Sequence, residues 1–280
     1  MDYIEHPPPA DLGRYLQCLW ALRDDAPGDD IQVIYPDGRC ELLAELGVPL
    51  RFHDAIGGIR ADQPFCFAGQ QLGPIRLQAT GPVLCIGLRL TPACSGLIAG
   101  TRLQALRDSA PDLYTLDPAF ADAFQHAARA YAEAQSPEPL WQLLRVRCAT
   151  FTPDPLVERA VEILDALGGD LRIADLAKQL GIALRTLQGR FLQAVGLSPK
   201  EYARVRRLQA LLHTLDAEPV AIADAAARHG FSDQAHATHD LARWTGTTPA
   251  KLIRALHGDP NGEDAVRLAA AFVRGRHSDQ

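Results

Sequence analysis

The last hundred residues of the chain contain one helical pattern twice. In each copy a short apolar-periodic segment ends at a glycine, Gly181 or Gly230, and a second such segment starts about one helical turn later. The first copy covers residues 173–191 and the second covers residues 220–241. Two short helices joined by a glycine turn form the outline of a helix-turn-helix, whose second helix enters the DNA major groove. The repetition therefore predicts an all-helical module with two DNA-reading units in one chain.

The second helix of each unit carries the polar residues that we predict to contact DNA. Leu176, Leu187 and Phe191 have the spacing of a small core, and they leave arginine and glutamine exposed. Arginine and glutamine can form paired hydrogen bonds with guanine and adenine edges, and serine is a good helix N-cap. The predicted contacts are Arg185, Thr186, Gln188 and Arg190 in the first unit, and Ser232, Gln234, His236, Thr238 and His239 in the second. For each stretch taken alone, a solvated polar face is the alternative.

Between the two units, residues 199–215 predict one long amphipathic helix. Pro199 suits the first turn of a helix, and Ser198 suits the cap before it. A rigid helix here would hold the two reading units at a fixed offset. Its arginines are predicted phosphate contacts, with charge on the solvated side of a helix as the alternative. They are Arg204, Arg206 and Arg207.

The charge of the chain is segregated along its length. The whole chain has a formal net charge of −6. Residues 170–256 contain 12 basic and 8 acidic side chains, a net charge of +4, whereas residues 1–153 contain 12 basic and 18 acidic side chains. A basic module that can meet phosphates is thus joined to an acidic part that would avoid them.

Residues 1–115 predict short strands with glycine and proline turns, which is typical of a small barrel or sandwich. A turn is predicted at Pro36–Gly38, and a helix is predicted over Leu12–Leu22. The predicted strands cover residues 31–35, 40–44, 65–67, 75–79 and 83–90.

From Asp117 the apolar period becomes helical, with Phe120, Phe124 and Tyr131 on one face. That face could cover the β region, form the seam of a homodimer, or do both. Phe151–Pro155 is the predicted linker, because prolines stop helices and stiffen loops. The expected fold class is α+β. A β-rich sensing and dimerising domain with flanking helices covers residues 1–150, an all-α domain covers residues 151–258, and a helical or disordered tail covers residues 259–280.

Composition excludes several classes of protein. No apolar run approaches the roughly 20 residues that span a bilayer, and the N-terminus does not read as a signal peptide, so we expect a cytoplasmic protein. The six cysteines form no CxxC pair and have no histidine at zinc-finger spacing, so we expect neither a metal nor a cofactor. Buried reduced thiols are the expected role of the cysteines, with a redox or electrophile sensor as the alternative.

Several short motifs in the helical region resemble the AraC/XylS family of transcription regulators. They include residues 196–202, Arg207–Leu208, residues 222–226, residues 230–236 and residues 244–249. The resemblance covers roughly residues 156–256. It implies a seven-helix domain that reads two successive major-groove segments of double-stranded DNA, with RNA polymerase as a further partner.

The sequence departs from the family pattern at several positions in the two predicted recognition helices. Ala183 stands where the family usually has a serine or threonine cap, and Gly189 stands where an arginine is typical. In the second unit, His239 replaces another arginine, and Asp240 adds a negative charge. Losing a paired arginine contact costs about 1–3 kcal/mol of base discrimination, and a glycine inside a helix costs up to about 1 kcal/mol against alanine.

The N-terminal half resembles the cupin-like β domain that precedes some modules of this family, in the segments at residues 36–42 and 87–92. The resemblance implies a pocket for a small, largely apolar effector. The candidate ligand contacts are the polar residues on or beside predicted strands, and a surface position is the alternative for each. They are Glu41, His53, Arg76 and Arg89.

We therefore expect a one-component transcription regulator, not an enzyme, controlled by a small molecule. One alternative is a protein-interaction module whose helix-turn-helix units bind DNA weakly or not at all. The other is an enzyme with a catalytic N-terminal domain, which no nucleophile motif, phosphate loop or carboxylate pair supports.

Overall fold

The chain folds into a β-rich N-terminal part and a helical C-terminal part, which confirms the expected α+β class. The computed structural model describes residues 1–29, 31–53, 58–61, 63–218, 220–231, 234–248 and 251–252. We call residues 1–148 the β-rich part and residues 154–252 the helical part. The predicted domain limits at residues 150 and 258 stay predictions, and the tail from residue 259 lies outside the described residues.

The described strands form two antiparallel sheets. One has the order β1-β2-β9-β4-β7 and the other the order β3-β8-β5-β6. The strands are β1 (Asp2–His6), β2 (Leu16–Asp24), β3 (Ile31–Ile34), β4 (Glu41–Glu45), β5 (Arg51–His53), β6 (Ile59–Ala61), β7 (Phe65–Ala68), β8 (Ile75–Gln78) and β9 (Val83–Leu90).

The predicted helix at Leu12–Leu22 is wrong, because most of that segment is strand β2. Both faces of β2 are buried: Leu19 and Ala21 belong to one core cluster, and Cys18 and Trp20 belong to another. A strand at the centre of a sheet with both faces covered has no polar alternation. Its near-continuous apolar sequence therefore matches a helical pattern as well as a strand pattern.

The turn at Pro36–Gly38 is present but does not close a hairpin. The strand before it, β3, pairs with β8 in one sheet, whereas the strand after it, β4, pairs with β7 and β9 in the other. Gly38 has φ = 79°, in the left-handed region that glycine adopts without steric cost. The turn thus carries the chain from one sheet to the other.

Two long helices cover the outer face of the first sheet. Phe120, Phe124 and Tyr131 are each no more than 6% exposed, and they pack in one cluster with strand residues such as Leu42 and Phe67. Of the two roles predicted for this face, the structure shows the first, cover for the β region. The predicted homodimer seam on this face is wrong, because the side chains that would form it are already buried against the same chain.

Helices dominate the chain after β9. Short helical turns at residues 92–94 and 100–106 accompany them. The helices are α1 (Gly96–Ala99), α2 (Leu113–Leu116), α3 (Pro118–Ala134), α4 (Glu138–Cys148), α5 (Pro155–Ala166), α6 (Ile173–Gln179), α7 (Leu184–Val195), α8 (Pro199–Ala217), α9 (Ile222–Arg228) and α10 (Gln234–Thr245).

The sequence at the start of α8 explains why this long helix begins there. The Ser198 hydroxyl accepts a hydrogen bond from the Glu201 backbone N–H, and the Glu201 carboxylate accepts one from the Ser198 backbone N–H. This reciprocal capping box satisfies two backbone donors that a helix start leaves unpaired. The predicted cap at Ser198 is confirmed.

The core of the helical part extends into the β-rich part. Val33, Tyr35 and Ala93 belong to the same buried cluster as Leu208 of α8 and Leu187 of α7. The two parts are therefore packed together through apolar contacts as well as polar ones. Among the described helices, none is long and apolar enough to cross a membrane.

We expect Gly87→Ala to lower the free energy of unfolding by about 1–3 kcal/mol, the usual cost of overpacking a core. A Cβ at Gly87 would lie 2.0 Å from the Trp20 indole ring, so the ring or the strand must move. Urea denaturation measures the difference. Gly73→Ala is the control, because a Cβ there meets no atom within 4 Å. Equal stability of the two variants would show that Trp20 does not pack against Gly87.

Candidate nucleic-acid interface

The first helix-turn-helix unit exposes the start of its second helix. Helix α7 buries Leu187 and Phe191 in the core, while Arg185, Thr186 and Gln188 are exposed. The first residues of a recognition helix are the ones that reach base edges in the major groove. Three predicted DNA contacts thus lie together at the accessible end of α7.

The second unit presents a weaker polar face. His239 on α10 has a side chain 76% exposed and lies 3.8 Å from the carboxylate of Asp240, while Thr238 is half-buried. Gln234 and His236 lie on α10, and the structure describes their backbone only. The predicted contact Ser232 lies outside the described residues.

One of the three predicted phosphate contacts on α8, Arg206, is corrected by the structure, and a second, Arg207, makes internal contacts while its role on DNA stays a prediction. Arg206 is buried, lies 2.8 Å from Asp165 and donates to the Asp37 carbonyl oxygen. Arg207 donates to the carbonyl oxygens of Gly169 and Gly230 and lies against the Phe231 ring. Both guanidinium groups are thus engaged in joining elements of the protein. Arg204 is half-buried, and its role on DNA stays a prediction.

Arg190 on α7 bonds to the linker between the two parts. Its Nε and Nη2 donate to the two carboxylate oxygens of Asp154 at 2.7 and 2.5 Å. Partial burial acts to raise the pKa of Asp154, but the Arg190 guanidinium and the backbone N–H groups of Leu156 and Val157 together outweigh it and lower that pKa. Arg190 therefore meets an internal anion where DNA contact was predicted.

An ion-pair junction, which we call the Asp165 junction, connects the two parts. Arg39, next to the Pro36–Gly38 turn, donates to Asp165 on α5 at 2.9 Å and to the Tyr202 hydroxyl on α8 at 3.0 Å. Tyr202 in turn donates to Asp165 at 2.7 Å. The Arg39 and Arg206 side chains are only 8% and 9% exposed.

The electrostatics of the Asp165 junction favour the ionised carboxylate. Burial acts to raise the pKa of Asp165, but the guanidinium groups of Arg39 and Arg206 and the Tyr202 hydroxyl outweigh it, so that this pKa is lowered. Sequence reasoning did not select this site. The turn signal at Pro36–Gly38 placed an arginine at the tip of a loop, but nothing local indicated its partner 126 residues away.

A second set of contacts anchors the connection between α7 and α8. Arg107 of the β-rich part donates through Nε to the Gly196 carbonyl oxygen at 2.5 Å and lies 3.3 Å from the Glu201 carboxylate. Glu201 is the residue that completes the capping box of α8. The same carboxylate thus caps the long helix and binds the β-rich part.

The four predicted ligand contacts fall into two separate pairs. Arg89 and Glu41 lie on the first sheet, where the Arg89 guanidinium is 7% exposed and bonds to the Glu41 carboxylate at 2.6 Å. Glu5 and Asp37 lie within 4.0 Å of the same guanidinium. Three carboxylates surround one arginine, so the predicted anionic ligand at Arg89 is corrected: the protein's own acids occupy that position.

Arg76 and His53 are register partners on the second sheet, on strands β8 and β5. The His53 ring lies within hydrogen-bond distance of Gln78. Arg76 reaches the helical part, since its Nη2 would lie 2.7 Å from a Cβ placed on Gly246. It is thus a contact between the two parts, and its role toward a ligand stays a prediction.

Two clefts stand out among the described residues, and neither lies between the two sheets. One, of about 690 Å³, lies between the first sheet and α3, with Glu45, Phe65 and Tyr114 among its lining residues. The other, of about 400 Å³, lies where the two parts meet. It is lined by Ala93, Gly96, Gly100, Phe151, Thr152, Asp154, Arg190, Gln193 and Ala194.

Two family models match segments of this chain. Residues 176–255 match a family model described as a helix-turn-helix domain. Residues 4–112 match one described as a domain of unknown function, DUF6597. A search of curated proteins found no match to the chain.

Solved structures similar to this chain include ToxT from Vibrio cholerae, at 11% identity and a TM-score of 0.47, over 86% of this chain and 99% of that chain. A transcriptional regulator from Chromobacterium violaceum with an AraC-type DNA-binding domain is 24% identical over 38% of this chain and 95% of that chain, with a TM-score of 0.35. The C-terminal domain of the response regulator AraT from Geobacillus stearothermophilus is 21% identical over 36% of this chain and 86% of that chain, with the same TM-score.

We expect Asp165→Asn to lower the free energy of unfolding by about 2–4 kcal/mol, because two buried arginines lose their carboxylate partner. The estimate takes the lower part of the range for buried pairs, since Asp165 is 25% exposed. The carboxylate stabilises the fold above the ordinary pKa of 3.8, and that stability is lost as pH falls through the lower folded value.

The difference between wild type and Asp165→Asn should therefore be largest near neutral pH and shrink below about pH 4. Chemical denaturation across this pH range measures it. Glu162→Gln is the control, because Glu162 lies on the same helix with a side chain 62% exposed. A variant as stable as wild type at neutral pH would contradict the assignment.

Proposed function

We propose that this chain is a one-component transcription regulator of the AraC type, because residues 176–255 match a helix-turn-helix domain model and residues 4–112 match the DUF6597 model. In this proposal the helical part binds double-stranded DNA, and the β-rich part controls that binding. The observation that carries it is the accessible start of α7, where Arg185 and Gln188 are exposed on a helix with a buried opposite face. A recognition helix must combine these two properties.

We propose that α7 supplies most of the base contacts. Its exposed residues include an arginine and a glutamine, the two types that bind purine edges through paired hydrogen bonds. On α10, of the predicted contacts whose side chains the structure describes, His239 is exposed and Thr238 is half-buried. The second unit then contributes to orientation and to non-specific affinity more than to base selection.

Control by a small molecule is the finer part of the proposal. Its support is the 400 Å³ cleft, whose walls come from both parts and from α7 itself. Such a volume suits a small organic ligand. A ligand regulates DNA binding only when it binds the competent and incompetent arrangements unequally. A cleft lined by both parts would change shape with their arrangement, which supports this part of the proposal.

We further propose that the regulator acts in the cytoplasm, has no enzymatic activity, and contacts RNA polymerase at its promoters. A homodimer remains part of the proposal, on a surface other than the buried face of α3. The competing function is a protein-interaction module with weak DNA affinity. Its support is the internal pairing of Arg190, Arg206 and Arg207.

Binding of the full-length chain to duplex DNA separates the two functions. A fluorescence anisotropy titration with a short labelled duplex, repeated at several salt concentrations, measures affinity and counterion release together. A regulator binds selected genomic fragments more tightly than random sequence and loses affinity steeply as salt rises. A chain that binds no duplex at low salt is the interaction module.

We expect Gly189→Arg to raise the affinity for duplex DNA and to steepen its salt dependence. A Cβ at Gly189 meets no atom within 4 Å, so the larger side chain fits, and it is also a better helix former. One added phosphate contact makes the slope of log affinity against log salt more negative by about 0.9. Gly189→Ala is the control. It should stabilise the helix and leave the slope of log affinity against log salt unchanged. Equal slopes for both variants would contradict an orientation of this helix toward DNA.

We expect Gln188→Ala to change base preference at one position of the binding site, with a loss of about 1–3 kcal/mol of discrimination. Selection of sequences from a random duplex pool, followed by sequencing, measures this preference. Gln193→Ala is the matched control, because Gln193 lies on the same helix but lines the cleft between the two parts. An unaltered consensus for Gln188→Ala would remove Gln188 from the base contacts.

A further inference from the structure

The contact between Arg190 and Asp154 has the geometry with which arginine binds phosphate. Two adjacent nitrogens, Nε and Nη2, donate to two oxygens of one anion at 2.7 and 2.5 Å. This two-pronged arrangement is the one that arginine forms with carboxylates and with phosphates alike. Arg190 lies one helical turn after Thr186 on α7, beside the exposed start of the recognition helix.

The pair is accessible to solvent, so another anion can replace the carboxylate. The Arg190 side chain is 44% exposed and the Asp154 side chain is 23% exposed. A bidentate arginine–carboxylate pair is stronger than a typical surface ion pair, but at this exposure solvent and salt still screen it. A DNA phosphate presented to Arg190 can form the same two-pronged contact and therefore competes with the Asp154 carboxylate.

Asp154 is also a structural residue of the linker. The same carboxylate accepts hydrogen bonds from the backbone N–H groups of Leu156 and Val157 and thereby caps the start of α5. One turn further along α5, Glu158 binds Arg14 of the β-rich part through two hydrogen bonds of 2.7 Å. A series of contacts thus runs from the recognition helix through the linker to the β-rich part.

We propose that Asp154 is an internal competitor of DNA phosphate for Arg190, so that DNA binding and the packing of the linker are coupled. This inference rests on the proposed function. When DNA is absent, the carboxylate neutralises an arginine of the recognition helix. When DNA binds, a phosphate takes its place, and Asp154 retains only its role as a cap.

The coupling operates in both directions. Any event that strengthens the Asp154–Arg190 contact, such as a change in how Arg14 holds Glu158, lowers DNA affinity. Bound DNA equally disfavours that state of the linker, because the free energy that couples two binding events is reciprocal. The β-rich part therefore has a physical route by which it can regulate the reading helix.

The test is Asp154→Asn in the full-length chain, with a short fluorescent duplex of random sequence as the probe. Asparagine caps helices as well as aspartate, so α5 keeps its cap while Arg190 loses its charged partner. Affinity at low salt should rise about threefold, and the slope of log affinity against log salt should become more negative by about 0.9. Glu162→Gln is the matched control, since it changes net charge equally on the exposed face of α5 and should leave both quantities as in wild type.

A second variant shows whether the gain acts through Arg190. Combining Asp154→Asn with Arg190→Gln should abolish both the gain in affinity and the steeper slope. If Asp154→Asn does not fold, Asp154→Ser retains a capping residue and serves instead.

The outcomes separate this inference from the proposed function. A wild-type chain that binds no duplex overturns the proposed function. A wild-type chain that binds, with Asp154→Asn no tighter than Glu162→Gln, overturns the competition alone. A gain that persists in the Arg190→Gln background also overturns it, because the added charge would then act without Arg190.

Discussion

The Asp165 junction is the interaction on which the arrangement of this protein depends. A single carboxylate holds two nearly buried arginines, one from the turn after β3 and one from α8, together with the Tyr202 hydroxyl. Buried guanidinium groups are costly without an anionic partner. The junction therefore forms only when the β-rich part and α8 are correctly docked, and it fixes the helix that joins the two reading units.

The junction and other internal contacts of the helical part together engage several of its arginines. The helical region is basic in sequence, yet the Arg206 and Arg207 side chains bind groups within the protein and hold α8 to its neighbours. Arg190 is paired with Asp154 on the surface, where its side chain is 44% exposed. Arg185 stays exposed on α7. The net charge of residues 170–256 therefore overestimates the positive charge that the helical part exposes to a bound duplex.

The sequence was sufficient to predict most elements and the DNA-reading helices. The strand over residues 83–90 and the cap at Ser198 were predicted correctly, because periodicity and capping are local properties. The helix predicted at Leu12–Leu22 failed, because burial on both faces of a central strand removes the alternation that identifies strands. The prediction of a dimer seam at Phe120, Phe124 and Tyr131 was wrong, because an apolar helical face does not show whether it packs against its own chain or a second copy.

The sequence by itself determined the class of the protein, an α+β chain with a doubled helix-turn-helix unit. It also indicated that Gln188 lies on the exposed face of α7. Only the tertiary structure decided which charges are available, because an arginine's role depends on the anion it meets, and those anions come from distant positions. Arg39 and Asp165 are 126 residues apart, and Arg190 and Asp154 are 36 residues apart. Periodicity and capping act within a few residues, whereas ion pairing follows the folded path of the chain.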